Sequence, residues 1–309
     1  MDVSLIFVNY KTNNLLYDAI NSIHEKCNGC SYEIIVVDNS VDDDIYADLE
    51  EKKDKYQYKL IKSPANIGIG NGGNLGAKYA SGDYLLFLNS DIIFINDAVT
   101  KLFEYIKCHP NVGIVGGNLY NKDLTPNITF HNDVLNKYIL RKHFNYIGWA
   151  LSKLKKKEPT FNYSDNPIIV KRMIIGAVLM ISKIDFEILG GYDKDIFMYG
   201  EESLLCYRVQ HELNKLIVNV PSAKVIHLDG GSYTDASVTR EKARVNGDFI
   251  YFSKSLGKDV AINIYRNRAK ILKLKISFAK LKRDKSGVEL MALRRNLYLE
   301  KVAKEKQSV

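Results

Sequence analysis

Long hydrophobic runs are missing from this 309-residue sequence. No stretch approaches the ~20 apolar residues that span a bilayer, and "MDVSLIFVNYKT" at the start has no basic segment ahead of its short apolar one. Neither a membrane-spanning anchor nor a secretory leader is expected, and the chain is expected in the cytoplasm. Cysteine is scarce as well. Cys27, Cys30, Cys108 and Cys206 form no disulfide framework, and Cys27-Asn-Gly-Cys30 lacks the second pair that a zinc site needs, so reduced thiols are expected. Internal repeats and low-complexity linkers are also missing. What is present is ordinary globular composition, 46% hydrophobic and 26% charged, enough for one large domain or two smaller ones. The net charge of +8 is unevenly spread. Residues 266–309 hold fourteen Lys/Arg against four Asp/Glu, a net of +10, which leaves residues 1–265 at −2.

The first 117 residues alternate between short apolar runs and amphipathic stretches. "VSLIFV", "EIIVVD", "YKLI", "DYLLFLNSD" and "VGIVGG" read as strands, and "NNLLYDAINSIHEK", "GNLGAKYA" and "DAVTKLFEYIK" as helices. This βαβα order predicts a mostly parallel sheet with helices on both faces. Ligands of such sheets sit beyond the carboxyl ends of strands, where Asn9, Asp38 and Asn89 to Asp91 fall. Residues 118–170 lose the periodicity and carry the basic run "KLKKKEP" at 153–159; they are expected to form a long, mobile insertion over the active site. Order returns in "MIIGAVLMISK" (173–183), read as a strand. A short helix in "IDFEILGGYDKDIF", a helix in "GEESLLCYRVQHEL", the strands "KLIVNV" and "KVIHL" and a helical remainder from about Ala236 follow.

Four segments carry chemistry. "NIGIGNGGNLG" (66–76) contains G-x-G-x-x-G at Gly68, Gly70 and Gly73, a dinucleotide-binding pattern, with Asp91 at the expected distance. In that class, however, the pattern normally sits in the first βα turn, and here other elements precede it. In "FLNSDIIF", Asn89-Ser90-Asp91 interrupts a buried run; Asp91 could hold a divalent ion on a diphosphate, since Mg²⁺ takes few protein carboxylates, or could simply cap a turn. Glu201 and Glu202 open a helix, where they suit either a general base or the helix dipole. His227 ends a strand ahead of Gly230-Gly231-Ser232, as a metal ligand or a structural histidine.

In order, "VNY" (8–10), "VVDNS" (36–40), "NIGIGNGGNLG", "FLNSD" (87–91), "IIGAVLMISK" (174–183), "GGYDKDIFMYGEES" (190–203) and "HLDGGS" (227–232) resemble a family 2 glycosyltransferase. The nearest branch is the rhamnosyltransferase-like one of bacterial O-antigen and capsule synthesis. The resemblance covers residues 1–235 and implies a GT-A fold, a nucleotide-sugar donor such as dTDP-rhamnose or a UDP-sugar, Mg²⁺ or Mn²⁺, and inversion at the anomeric carbon. It places Asn9, Tyr10, Asp38, Asn66, Gly68, Asn74, Asn89, Ser90 and Asp91 on the donor side, with Asp91 and His227 on the metal. Glu202 becomes the catalytic base, with Glu201 as the alternative, and Gly176 and Tyr199 lie on the acceptor side. Within the glycine segment, Asn66-x-Gly68 with Gly72, Asn74 and Gly76 then becomes the meaningful spacing. Two departures stand out: Leu204 replaces the last acid of G-E-D-x-D, and Asn89 replaces one carboxylate of the metal motif. The rivals are a nicotinamide-dependent oxidoreductase and a transferase-like protein that only binds a glycan or partner.

The expected division is a catalytic domain over 1–235, with an acceptor-side insertion at 118–172, and a basic helical region over 236–309. In "AKILKLKISFAKLKRDK" (269–285), Ile271, Leu274, Phe278 and Leu281 recur at helical spacing among Lys270, Lys273, Lys280 and Lys282. Such a helix suits an anionic membrane surface, on the cytoplasmic face of the inner membrane given a lipid-linked saccharide acceptor; the alternative is packing on the catalytic domain or on a second copy of the chain. No nucleic-acid-binding motif accompanies the charge.

Overall fold

The computed structural model describes residues 1–133, 158–228, 238–281 and 285–307. It divides into two compact units. The first is built on a mixed sheet whose strands, in spatial order, are β3 (Lys59–Lys62), β2 (Tyr32–Asp38), β1 (Val3–Asn9), β4 (Tyr84–Leu88), β10 (Val178–Ser182), β6 (Val112–Tyr120), β11 (Leu216–His227) and β5 (Ile92–Phe94), with β8 (Ile168–Ile169) also paired to β11. The pairs β3–β2, β2–β1, β1–β4 and β6–β11 are parallel; β10, β5 and β8 run antiparallel to their neighbours.

Helices cover both faces, as the alternation predicts. Successive strand residues point to opposite sides, and so Val3, Leu5 and Phe7 of β1 join one core while Ile6 joins the other. The first core receives α1 (Asn13–Lys26) through Leu16, Ile20 and Ile23, α2 (Asp43–Tyr56) through Leu49, and α4 (Ala98–Cys108) through Val99, Leu102 and Ile106. The second receives Ala77 of α3 (Ile69–Ala77), Phe186 of α5 (Lys183–Ile188), and Leu205, Cys206 and Val209 of α6 (Glu201–His211). Helix α3 lies directly on β1, because a Cβ at Gly72 or Gly76 would stand 2.6 Å from Val8 or 2.5 Å from Ile6. This contact sets the first turn of α3 beside the Asn9 end of β1.

Three sequence expectations change. "MIIGAVLMISK" is not one strand: β9 (Met173–Ile174) leaves the sheet to pair with β7 (Phe130–His131), and β10 begins only at Val178. The interruption occurs where the Ala177 carbonyl accepts the Asn89 amide and the Ile175 amide goes to Thr129. Conversely, "KLIVNV" and "KVIHL" form a single strand, β11, with a register irregularity between Val220 and Lys224. Pro221 has no amide to give the ladder there, and the Asn96 side chain compensates by bonding the Ser222 carbonyl (2.8 Å) and the Lys224 amide (3.1 Å). Finally, the flanks of the expected insertion hold β7 and β8 rather than loop alone, while its centre, 134–157, with most of the basic run, lies outside the described residues.

The second unit joins Met198–Gly200 to α7 (Val238–Leu256), α8 (Lys258–Leu281) and α9 (Lys285–Gln307). Its core holds Phe249, Phe252, Ile264, Tyr265 and Leu297. The Tyr265 hydroxyl donates to the Val245 carbonyl, and the Arg268 guanidinium lies over Phe252 while pairing with Asp248 at 3.2 Å. The helical stripe expected in the tail is divided. Ile271 is buried, whereas Leu274 and Phe278 are 44% and 59% exposed among exposed Lys270, Lys273, Lys275 and Lys280; the side chain of Leu281 and residue Lys282 lie outside the described set. No described helix is long and apolar enough to cross a membrane.

Candidate active site

The antiparallel pairing of β11 with β5 sets His227 opposite Ile92, and the Leu228 amide donates to the Asp91 carbonyl at 2.9 Å. Two residues 136 positions apart in sequence are thereby brought together. His227 Nε2 stands 3.4 Å from Asp91 Oδ1 and 3.3 Å from Asn89 Nδ2. Asp91 is 3% and His227 9% exposed, and Ser90 between the strands is buried. The chemistry of this set fits a hard divalent ion: one carboxylate oxygen and one imidazole nitrogen stand 3.4 Å apart, a few tenths of an ångström more than the roughly 3.0 Å between neighbouring ligands on an octahedral ion with bonds near 2.1 Å. No group of three His, Cys, Asp or Glu converges among the described residues. Ligand and water oxygens would have to complete the shell, the usual arrangement for Mg²⁺ on a diphosphate.

A second corner forms at the ends of β1 and β2, where Asn9 and Asp38 are paired in register. Asn9 is fully buried and its amide is used locally, donating to Asn13 Oδ1 at 2.8 Å and accepting from the Thr12 hydroxyl at 2.9 Å. Asp38 is different. Its Oδ1 accepts from the Ser40 hydroxyl (2.6 Å) and amide (3.1 Å), while its buried Oδ2 has no hydrogen-bond partner among the described residues. Buried acceptors are normally satisfied, so such an oxygen marks a place for a donor group from a ligand. Asn39 then ties this corner to the glycine turn, accepting from the Ile67 amide and donating to Asn66 Oδ1, both at 3.0 Å. Sequence reasoning passed over Asn39 and Ser40; the signal was their place in "VVDNS".

The glycine turn leads to the third corner. Gly68 has φ 84°, and a Cβ there would stand 1.9 Å from the Phe197 carbonyl oxygen, so only glycine fits. The Ile69 amide donates to that same carbonyl. Gly70 packs on Glu201, where a Cβ would lie 3.2 Å from the glutamate Cβ, and Gly73 packs on Tyr192. Both glycine spacings are therefore used for packing, Gly68, Gly70 and Gly73 as much as Gly72 and Gly76. Asn74 clasps the backbone of Tyr192 in both directions, accepting its amide at 2.8 Å and donating to its carbonyl at 2.9 Å. Gly176 lies over Glu202, where a Cβ would stand 3.6 Å from Glu202 Cβ and Cγ. Burial pushes the Tyr192 hydroxyl well above its ordinary pKa, and the nearby charges of Glu201 and Glu202 add to the effect. Tyr192, which sequence reasoning left unassigned, thus stays protonated beside the two carboxylates.

The structure accordingly brings Asn89 and Asp91 to His227, Asp38 to Asn66 through Asn39, Gly68 to Phe197, and Gly176 to Glu202, while Gly70 rather than Gly68 packs on Glu201. Tyr199 falls in the second unit, and Gly230, Gly231 and Ser232 lie outside the described residues. Leu204 is buried, so its side chain serves the core in place of the missing acid. All four cysteines are free, and burial raises the pKa of Cys27 and of Cys206 to about 12, which keeps both as inert thiols.

Known proteins resemble this chain in sequence and in fold. The model of the family "Glycosyl transferase family 2" matches residues 4–178, more than half of the chain. The chain is 28% identical over 137 residues to the dolichol-phosphate mannosyltransferase of Pyrococcus furiosus, across 44% of this chain and 39% of that one. It is 26% identical over 151 residues to the poly-beta-1,6-N-acetyl-D-glucosamine synthase of Staphylococcus epidermidis, across 47% and 34%. The matched part thus spans only a third to two fifths of these relatives. Among solved structures, the mannosyltransferase PcManGT from Pyrobaculum calidifontis in complex with GDP-Man and Mn²⁺ is similar at a TM-score of 0.58 and 13% identity, across 98% of this chain and 87% of that one. GalNAc-T7 with UDP, GalNAc and Mn²⁺ gives a TM-score of 0.60 at 16% identity, across 100% and 57%. At such identities the likeness is one of fold, the GT-A fold.

Proposed function

The chain belongs to glycosyl transferase family 2, and we propose that it moves a sugar from a nucleotide-diphosphate donor, dTDP-rhamnose or a UDP-sugar, to a lipid-linked saccharide acceptor in bacterial surface polysaccharide synthesis. The observation that carries this reading is the convergence of Asp91, Asn89 and His227 across β5 and β11. Asp38, with a buried oxygen that has no partner among the described residues, supports a nucleoside on the other side of the strand ends. Asn66 and Gly68, in the turn that Asn39 anchors, and Tyr10, next to the end of β1, complete the donor side.

In the reaction, Glu202 accepts the proton of the attacking acceptor hydroxyl as its oxygen bonds to the anomeric carbon from the face opposite the departing diphosphate. One displacement suffices, and configuration inverts. Gly176 leaves open the space above Glu202 that a larger residue would fill, room for the acceptor hydroxyl. Protonated Tyr192 keeps a further negative charge away from the carboxylates. Asp91 and His227 would hold Mg²⁺ or Mn²⁺, which when bound neutralises charge on the diphosphate. The exposed Leu274 and Phe278, set among lysines, support docking on an anionic membrane on the cytoplasmic face, where a lipid-linked acceptor would be met.

The test is a screen of nucleotide-sugars with Mg²⁺ or Mn²⁺ and membrane-derived acceptor, read as released nucleotide diphosphate. Glu202→Gln should reduce transfer by a factor of at least 10² with donor binding retained. If folded Glu202→Gln and Glu201→Gln proteins both transfer at near wild-type rates, the assignment of the base is wrong. Tighter binding of NADH than of any nucleotide-sugar in a fluorescence titration would instead favour the oxidoreductase.

A further inference from the structure

The three residues before Glu201 are held by the helical unit. Tyr199 has φ 68°, a left-handed conformation that an aromatic residue keeps only where its surroundings impose it. Those surroundings are α7. Gly247 stands in the interior of that helix, where glycine is disfavoured, and a Cβ there would fall 1.7 Å from the Tyr199 carbonyl oxygen and 2.8 Å from that of Met198. The glycine is what admits this backbone. One turn and two turns earlier on α7, Arg244 and Arg240 take the side chain: Arg240 Nε donates to the Tyr199 hydroxyl at 2.8 Å, and the Arg244 guanidinium lies 4.9 Å above the ring. Glu241, buried on α7, binds Arg294 of α9 through both carboxylate oxygens (2.5 and 2.8 Å), so the clasp is braced from behind.

Resting on the transferase reading above, we propose that α7 is a positioning element of the reaction: Gly247, Arg240 and Arg244 fix Tyr199-Gly200 and so fix the point from which Glu201 and Glu202 begin. The basis is chain continuity, since the peptide after Gly200 starts α6 at Glu201. A base must stand within about 3 Å of the proton it takes, and a displacement near 1 Å is enough to lower a rate about 10²-fold. The C-terminal helices then serve catalysis as well as any surface to which they bind.

The test uses the full-length chain carrying Arg240→Gln, Tyr199→Phe, both together, or Gly247→Ala. Arg240→Gln and Tyr199→Phe are the decisive pair if Gly247→Ala does not fold. Each should lower kcat at least tenfold while the Kd for donor changes less than twofold, and the double variant should lose no more than the worse single one, as for two ends of one contact. Arg240→Lys, which keeps a donor for the hydroxyl, should recover part of the loss. Hydrogen exchange gives a readout independent of turnover: amides of 199–206 should exchange faster in the variants than in the wild type. Folded variants with unchanged kcat, or with kcat and donor affinity falling together, would overturn the proposal, as would unchanged exchange over 199–206. If the wild-type chain turns over no nucleotide-sugar at all, the transferase reading fails, and hydrogen exchange alone still decides whether the clasp exists.

Discussion

Asp38 carries two hydrogen bonds on one buried carboxylate oxygen and, among the described residues, none on the other. An amide in its place would present a donor where a ligand donor is expected. Asp38→Asn should therefore weaken binding of nucleoside diphosphates about tenfold or more, the worth of one hydrogen bond to a charged group, measured by titration with UDP, dTDP and GDP. Unchanged affinity for all three would remove Asp38 from the donor site. Gly68 gives a stability prediction at the same scale. With φ 84° and the Phe197 carbonyl in the way, Gly68→Ala should destabilise by about 1–3 kcal/mol, seen as a fall in Tm of several degrees. Individual residue types were readable this far: an acid at a strand end and a glycine before a helix announce themselves. The partners of Asn74 and Asn39 did not, because neither a two-way bond to a backbone 118 residues away nor a side-chain tie to a turn 27 residues on leaves a local pattern.

Elements were legible where their periodicity was strong. The helix read from "NNLLYDAINSIHEK" is α1 from end to end, because its apolar residues recur along one face and meet the first core. The broken strand at 173–182 and the continuous one at 216–227 were not legible. Both depend on which neighbour claims each amide, and Pro221 reads as a strand end unless Asn96 is known to lie across from it. Between α7 and α9, the Glu241–Arg294 pair gives a pH prediction. The Arg294 hydrogen bonds hold the Glu241 carboxyl below its ordinary range. A depressed folded pKa contributes stability that is fully present above the unfolded value, about 4.3, and lost as pH falls through the folded one. Helical signal should accordingly begin to fall below about pH 4.5, and Glu241→Gln should lose roughly 1.5–3 kcal/mol at neutral pH while removing that part of the acid dependence. An identical acid titration for variant and wild type, followed by circular dichroism, would show that the pair contributes nothing.

At the scale of the whole molecule, charge is segregated: −2 over residues 1–265 and +10 over 266–309. Basic residues near an anionic surface each contribute on the order of 1 kcal/mol, and Leu274 and Phe278 add apolar contact of about 1.5–3 kcal/mol each if fully buried. Replacing both with Ser should lower co-sedimentation with phosphatidylglycerol vesicles at least tenfold and leave the weak binding to phosphatidylcholine unchanged. Equal sedimentation of variant and wild type would assign the exposed face of α8 to another role. The sequence by itself determined the class of sheet, the helices on both its faces, the charged tail and the motifs at the strand ends, since each follows from local periodicity or from a residue type suited to one kind of place. Only the tertiary structure decided that His227 meets Asp91, that the glycines of α3 serve packing on β1 and α6, and that α7 grips the residues before Glu201. Those are contacts between segments far apart in sequence, fixed by strand register and by close backbone approach, and neither is written in any single stretch of the chain.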